Sequence, residues 1–470
     1  MTSKINLLLL KDYEIKDLLK KGYITVAIFG LGHVGLPLAC AWLRAGAKVI
    51  GVAKSRETVE KINKGENPLR SEPSLSDIIK KFVIDKKFYA TNNGSYAVKR
   101  ANVIIITVPT GVKWNEPNRP LDLSVLINVL KIIGKNLSVG KLVITESTLP
   151  PGTTLNLIKP FLETTSNLKV EKDFGLAYSP ERIMSGHALQ DIEEHYPKII
   201  SGVGPRSLKV VKAFYDVIAK KGTIALSSPT AAEFEKIAEG IYRDVNIALA
   251  NELAKLAHKL KLDFNEIIRA ANSQPYCHLH KPGVGAGGAC IPIYPYFVFH
   301  TALKYDIEPV LAKLARVINE TMPMYVANLA IKALKKLNID SKKAKVAILG
   351  LAFRGNISDT RLSPTIDLIS CLESLGINNI VIHDPYVEDN PTKYPLERNL
   401  TSALKDKDLV IIATDHSDYY DLTLKSLSEM MKKREIAIVD GRNIIKLEKP
   451  AAKKKIVYVG VGRPWICINT

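Results

Sequence analysis

The segment Gly30-Leu31-Gly32-His33-Val34-Gly35 has the residue types and spacing to hold a phosphate. Glycines so placed permit a tight turn, close approach of the backbone to a pyrophosphate, and close packing of a helix on a strand. The segment follows an apolar, β-branched run, Ile24 to Phe29, and opens a helical pattern. Free N–H groups at a helix start then face the anion. In that context the motif, with His33 and Val34 inside its turn, predicts a dinucleotide site. The next strand runs Lys48 to Val52, and a carboxylate after it would grip the ribose hydroxyls. The residue there is Ala53, followed by Lys54, Ser55 and Arg56. A missing acid beside Lys54 and Arg56 removes repulsion against a 2′-phosphate, so NAD and NADP both stand as cofactors.

Five cysteines are scattered: Cys40, Cys277, Cys290, Cys371 and Cys467. The count is odd and no Cys-x-x-Cys occurs, which argues against a disulfide framework and a zinc site, so no metal is expected. Each cysteine is a small core residue or a reactive thiol. Cys290 stands out because glycines crowd it, in Gly287-Gly288-Ala289-Cys290.

These residues need a frame. Short continuous apolar strands alternate with helical patterns twice. The first series includes Ile24–Phe29, Lys48–Val52, Val103–Val108 and Leu142–Thr145; the second includes Lys345–Leu349, Ile380–Ile382, Leu409–Ile412 and Ile436–Val439. Between them Phe234, Ile237, Ile241, Val245, Leu249, Leu253 and Leu256 recur at helical spacing. Thr230 with Glu233 gives a capping-box pattern at that helix start. A second long helical pattern covers about 308–337, with a kink expected at Pro323. The expected class is α/β: two Rossmann-like doubly wound parallel-sheet domains joined by a central helical domain with a long connecting helix. The boundaries read are an extension at 1–22, a cofactor domain at 23–226, a central helical domain at 227–325, a connecting helix and linker at 326–343, and a second Rossmann-like domain at 344–470.

The formal charge of +19 suits an anionic small molecule. Aromatic–basic interleaving is missing, so no nucleic acid is expected as partner. No apolar run reaches the roughly 18 residues of a membrane span, and the run Leu7–Leu10 is too short for a signal-peptide core. A cytoplasmic protein without a membrane partner is expected.

Several ordered blocks then give the chain a family likeness: GLGHVGLP at 30–37, VPTG at 108–111, ESTLPPGTT at 146–154, SPERI at 179–183, EKIAEGIYRDVNIALANELA at 235–254, PGVGAGGACIP at 282–292, GLAFRGNISDTRLSP at 350–364 and HDPY at 383–386. On these the chain resembles the UDP-glucose/GDP-mannose dehydrogenase family from about Ile24 to Arg463. The YRDVN and PGxGxGG wording is nearer its UDP-N-acetylhexosamine branch. The resemblance implies a cofactor domain, a dimerising central domain and a UDP-binding domain. It implies a four-electron oxidation of a UDP-sugar CH2OH to the carboxylate in polysaccharide precursor synthesis, by a homodimer.

It also implies roles. Cys290 matches the nucleophile that forms a thiohemiacetal and then a thioester. Lys236 matches the lysine that assists proton removal and steadies oxyanions. Glu181 matches the glutamate that activates water, and Thr148 a hydroxyl near the reacting carbon. Pro109, Thr110 and Thr148 fall in blocks beside the cofactor. Arg182, Arg243, Gly283, Gly285, Gly287, Phe353, Arg354 and Arg361 fall in blocks for the UDP-sugar. The glycines are read as a flexible loop, and Arg361 has Asp359 as an alternative partner. Three positions depart from the family pattern: Ala53 and Tyr294 replace acids, and Gly240 replaces an amide on the central helix. A helical glycine costs about 1 kcal/mol against alanine and so requires a reason. The departures leave a second reading, a diverged paralogue that binds UDP-sugar or cofactor without efficient turnover. A third is a two-electron hydroxyacid dehydrogenase, which would need no cysteine.

Overall fold

The computed structural model describes residues 5–184, 186–448 and 454–469. The chain forms two compact units. Unit 1 is Met1–Glu239 with Tyr296–Ile307, and unit 2 is Gly240–Pro295 with Glu308–Thr470.

Unit 1 is built on strands β1 (Thr25–Phe29), β2 (Lys48–Val52), β3 (Phe88–Thr91), β4 (Val103–Ile106), the short hairpin β5 (Gly111–Val112) and β6 (Leu121–Asp122), then β7 (Leu142–Thr145), β8 (Gly175–Tyr178), β9 (Lys198–Gly202) and β10 (Thr223–Ala225). Eight of them form one sheet in the order β10-β9-β8-β7-β4-β1-β2-β3. The pairs from β3 to β8 are parallel; β9 runs antiparallel to β8. The fully apolar strand Val103–Ile106 is buried along its whole length, as a strand covered on both faces must be. The segment read as an extension belongs to this core. Leu7, Leu8, Ile15 and Leu19 are buried in the cluster that holds Trp42 and Phe214.

Unit 2 carries β11 (Lys345–Leu349), β12 (Asn379–His383), β13 (Leu396–Glu397), β14 (Leu409–Ile412), β15 (Glu435–Asp440), β16 (Lys455–Gly460) and β17 (Ile466–Asn469). Their order is β13-β12-β11-β14-β15-β16-β17, parallel except for the last pair. Two parallel-sheet Rossmann-like domains with a helical region between them in sequence are therefore present. Among the described residues no helix is long and apolar enough to cross a membrane.

The helical region contains Pro229–Lys259 and Val310–Lys336, the latter continuing through Pro323. The start of the first helix differs from the capping-box expectation. Ser228 Oγ accepts from Ala231 N–H at 3.2 Å, which makes it the cap. Glu233 turns away and accepts from the Gly152 and Thr154 N–H groups at 2.6 and 2.7 Å. With Pro229 supplying the first helical position, the cap falls one residue before it.

Within unit 2 Ala250, Ala254 and Ala257 of the first helix share a core with Ala327, Ala330 and Ala333 of the second, together with its Met322, Val326, Leu329 and Leu334. Several large residues of the periodic pattern lie outside, Leu249 at 42% and Leu256 at 56% exposure. Alanines on the first helix let the backbones approach closely.

Asp384, directly after β12, ties unit 2 together. Its carboxylate accepts from Leu351 and Ala352 N–H at 2.7 and 3.0 Å, from Tyr386 and Val387 N–H at 2.9 Å each, and from the His416 ring at 3.0 Å. Burial alone would raise its pKa; His416 and the backbone donors outweigh that and hold it well below the carboxylate range. A depressed folded-state pKa contributes stability that is present above the unfolded value near 3.9 and lost as pH falls further. Asp384→Asn is expected to destabilise by about 3 kcal/mol near neutrality. Its melting temperature should also fall less steeply than wild type below about pH 4. Parallel thermal melts across that range check both, and superimposable slopes would refute the assignment.

Candidate active site

In unit 1 the glycine turn after β1 divides its labour. Gly30 has φ +101°, and a Cβ there would lie 2.8 Å from the Thr107 carbonyl oxygen. A Cβ at Gly35 would lie 1.8 Å from the Gly30 oxygen, so only glycine fits. Gly32 faces open space. Two glycines thus close the turn and one leaves the backbone approachable, ahead of the helix Gly35–Arg44. The arrangement fits a dinucleotide pyrophosphate. Val34 precedes that helix, and Ser71 Oγ lies 3.5 Å from His33 Nδ1.

Beyond β2, Lys54 and Arg56 are exposed. Ser55 caps the helix Arg56–Asn63 by accepting from Thr58 N–H at 3.2 Å. Asn92 donates to the carbonyls of Ala53 and Lys54 at 2.7 and 3.2 Å, fixing the turn that an acid would otherwise occupy. After β4, Pro109 is exposed and Thr110 donates to the Thr148 carbonyl at 2.5 Å. Ser147 donates to the Val108 carbonyl at 2.7 Å. The loops after β4 and β7 are therefore stitched together at the strand ends, where open α/β sheets bind ligands.

Glu181 follows β8 on the same edge and is buried. Its neighbours were not foreseen. Lys198 Nζ donates to Glu146 Oε2 at 2.8 Å and pairs with Glu181 Oε2. Tyr215 O–H donates to Glu146 Oε1, and Arg182 N–H donates to Glu181 Oε1 at 2.7 Å. Topology explains the meeting. Glu146 and Glu181 leave the C-terminal ends of parallel β7 and β8, while antiparallel β9 brings its first residue, Lys198, to that edge. The only hint in the sequence is a lysine opening the apolar run Lys198-Ile199-Ile200. Arg182 is engaged within the protein: Nη1 lies 3.0 Å from Glu239 and 3.7 Å from Glu235, and Nη2 donates to the Pro197 carbonyl. Lys236 is half-buried on the same helix as these acids. Burial, then Glu239, pushes the Glu235 carboxyl up to about 7.

Unit 2 holds the thiol. Cys290 is exposed, while Cys40 is buried and its thiol is pushed up to about 12 by that burial. The glycines before Cys290 are not a free loop. A Cβ on Gly287 would meet the Leu362 carbonyl at 2.6 Å and the Phe353 Cβ at 2.8 Å; one on Gly283 would meet the Arg442 guanidinium at 2.6 Å. Gly285 has φ +146° and lies against Pro364. Close backbone packing, not flexibility, requires them. Gly288 N–H donates to the Arg361 carbonyl at 3.0 Å, fixing the loop to that segment.

Arg361 does pair with Asp359, Nε lying 3.0 Å from both carboxylate oxygens. Asp359 raises its pKa, and the Cys290 thiol adds to that. Arg354 is half-buried; burial, then the like charge of Arg243, lowers its pKa. The acid beside Arg243, Asp244, is already taken by buried Arg316, with Nε–Oδ2 at 2.7 Å. A half-buried guanidinium beside an exposed one of like charge favours an anion between them.

Gly240 now has its reason. A Cβ there would meet Tyr294 Cδ2 at 2.4 Å, and Tyr294 is buried. The two departures are one packing event: the ring lies on the helix backbone where any side chain would stand. The Tyr294 N–H donates to the Cys290 carbonyl at 3.0 Å, so that ring sits one turn after the thiol.

Comparison with known proteins follows this division. Three domain descriptions of the UDP-glucose/GDP-mannose dehydrogenase family match: the NAD binding domain at 24–219, the central domain at 230–321 and the UDP binding domain at 347–447. The UDP-N-acetyl-D-mannosamine dehydrogenase of Pyrococcus horikoshii is 36% identical over 438 residues, covering 93% of this chain and 99% of its own. The solved structure of the Pyrococcus horikoshii UDP-D-ManNAc dehydrogenase superposes with a TM-score of 0.85 at 35% identity, over 94% of this chain and 99% of that one. The structure of an NDP-N-acetyl-D-galactosaminuronic acid dehydrogenase from Methanosarcina mazei gives 0.80 at 31%, over 97% and 98%. With its NAD-binding turn, its UDP-binding sheet and this likeness along nearly its whole length, the chain belongs to the UDP-glucose/GDP-mannose dehydrogenase family and is a nucleotide-sugar dehydrogenase.

Proposed function

We propose that the protein oxidises UDP-N-acetylmannosamine at its primary alcohol to the uronate, by four electrons, through a thioester on Cys290. What carries the reading is an exposed thiol on a tightly packed glycine segment, in a chain 36% identical to a UDP-N-acetyl-D-mannosamine dehydrogenase. Gly30–Gly35, with Pro109, Thr110 and Thr148 beside it, would hold NAD, which when bound would supply the hydride acceptor for each of two oxidations. Lys236 takes the alcohol proton and steadies the alkoxide. The Cys290 thiolate adds to the aldehyde, and the second oxidation leaves a thioester. Glu181 takes a proton from the attacking water, and the C–S bond breaks to return the thiolate. Arg243 and Arg354 bind the diphosphate, while Phe353 and Arg361 shape the nucleotide side. This scheme needs Lys236 and Cys290 to reach the same sugar carbon.

The test is a panel of UDP-sugars with NAD and NADP. Two reduced cofactors per uronate are expected, with UDP-N-acetylmannosamine the best substrate. Ala53, Lys54 and Arg56 predict that NADP also serves, and that Ala53→Asp lowers kcat/KM for NADP by about ten-fold or more while sparing NAD. Equal loss with both cofactors would count against that site. The filled space between Gly240 and Tyr294 favours one second reading, a paralogue that binds without turnover. Cofactor and sugar binding with no reduced cofactor on any sugar would establish it.

We also propose a homodimer in the cytoplasm. Exposed Leu249, Leu256 and Leu260, with Leu311, Leu314 and Val317 of the second long helix, are a large apolar surface for a lone chain. A single-chain mass by light scattering would exclude the dimer.

A further inference from the structure

We propose that Lys198 and Glu146 are positioning residues for Glu181: the lysine holds that carboxylate ionised and aimed, and Glu146 sets how much of the lysine's charge reaches it. The proposal rests on the reading of Glu181 as the base for thioester hydrolysis.

The trio is buried, with side-chain exposures of 6% for Lys198, 0% for Glu146 and 5% for Glu181. Two carboxylates share one ammonium. Burial disfavours both charges, and a single cation cannot offset both. The partners decide which acid carries the proton. Glu181 has a backbone donor on one oxygen and Lys198 on the other. Burial pushes its carboxyl up, but Lys198 outweighs that and holds it below the ordinary value. Burial pushes Glu146 up to about 7, against Lys198 and aided by the charge on Glu181. The proton therefore goes to Glu146, and Glu181 is left as the base.

Of the other titratable groups around the trio, Glu235 beyond Arg182 is pushed up to about 7, and the tyrosines do not compete near neutrality. Tyr178, Tyr196 and Tyr215 are held protonated, chiefly by burial. Arg182 is matched by Glu235 and Glu239. A stabilising role alone would be poorly served by this arrangement, because a buried ion pair roughly breaks even against apolar packing.

The experiment uses the full chain with the UDP-sugar it oxidises best. Decay of the enzyme thioester is read by mass spectrometry of quenched protein, and kcat for uronate is measured against pH. Lys198→Met should slow thioester decay about ten-fold and move the acid limb up by about one pH unit. Lys198→Arg should recover most of the rate. Glu146→Gln should leave that limb in place, because Glu146 is already neutral there, and should abolish the change in rate near pH 7 at which Glu146 ionises and draws on the lysine. A limb moved by the lysine variant and a step near pH 7 lost in the glutamate variant are not what a merely structural cluster produces. If Lys198→Met does not fold, Glu146→Gln decides: a step near pH 7 that persists overturns the proposal. Full uronate formation by Glu181→Gln overturns it together with its premise. A dead Glu181→Gln beside an unmoved limb in folded Lys198→Met, or a persisting step near pH 7 in Glu146→Gln, overturns the proposal alone.

Discussion

Cys290→Ser is expected to abolish uronate formation, lowering kcat by on the order of 10³-fold or more. The loss is large because the residue carries a covalent step. A serine hydroxyl at neutral pH adds to an aldehyde far less readily than a thiolate, and it offers a poorer leaving group in hydrolysis. The first oxidation needs Lys236 and the cofactor but no sulfur. The variant should therefore still release some aldehyde, with one reduced cofactor for each sugar consumed. Product mass and cofactor stoichiometry measure the outcome. An unimpaired Cys290→Ser would remove the thioester and point to a two-electron dehydrogenase on the same scaffold.

The second large effect is a reversal of sign. Gly240→Ala should destabilise the protein by about 1–3 kcal/mol, although alanine is the better helix former by about 1 kcal/mol. The cause is the 2.4 Å approach that a Cβ would make to the ring of Tyr294, a buried residue that opens the helix Tyr294–Ala302. In a Tyr294→Ala background the obstacle is gone. The same Gly240→Ala should then stabilise by up to about 1 kcal/mol. Denaturant melts of the four proteins complete the cycle. Additive effects would mean that the ring and the glycine are independent, and the packing account would fail. Because Tyr294 is one turn from Cys290, Gly240→Ala should also slow the thioester step more than it weakens cofactor binding.

The parts of the fold that were legible rest on local physics. Strands β2, β7, β11 and β14 have the bounds that their apolar runs predict. The glycine turn was legible because its conformational demand lies within six residues, and the helix Pro229–Lys259 because apolar residues repeat at its period. The periodicity did not say which side of that helix packs. Leu249 and Leu256 mark an exposed surface, while alanines pack inside. Hydrophobicity shows that a face is apolar, not what covers it.

By itself, the sequence determined the two parallel sheets, the cofactor turn, the lone glycine-flanked thiol and the family. These follow from neighbours in the chain: side-chain period, turn chemistry and motif spacing. The tertiary structure decided the rest. Lys198 reaches Glu146 and Glu181 because β9, like β10 beside it, runs against the other strands of the sheet, across 52 and 17 residues of chain. Gly240 is a glycine because a ring 54 positions later lies on it. The glycines before Cys290 are packing residues because Phe353, Leu362 and Pro364 press against them. Burial and charge act through space, so the same lysine or glycine has no readable role until the chain has closed around it.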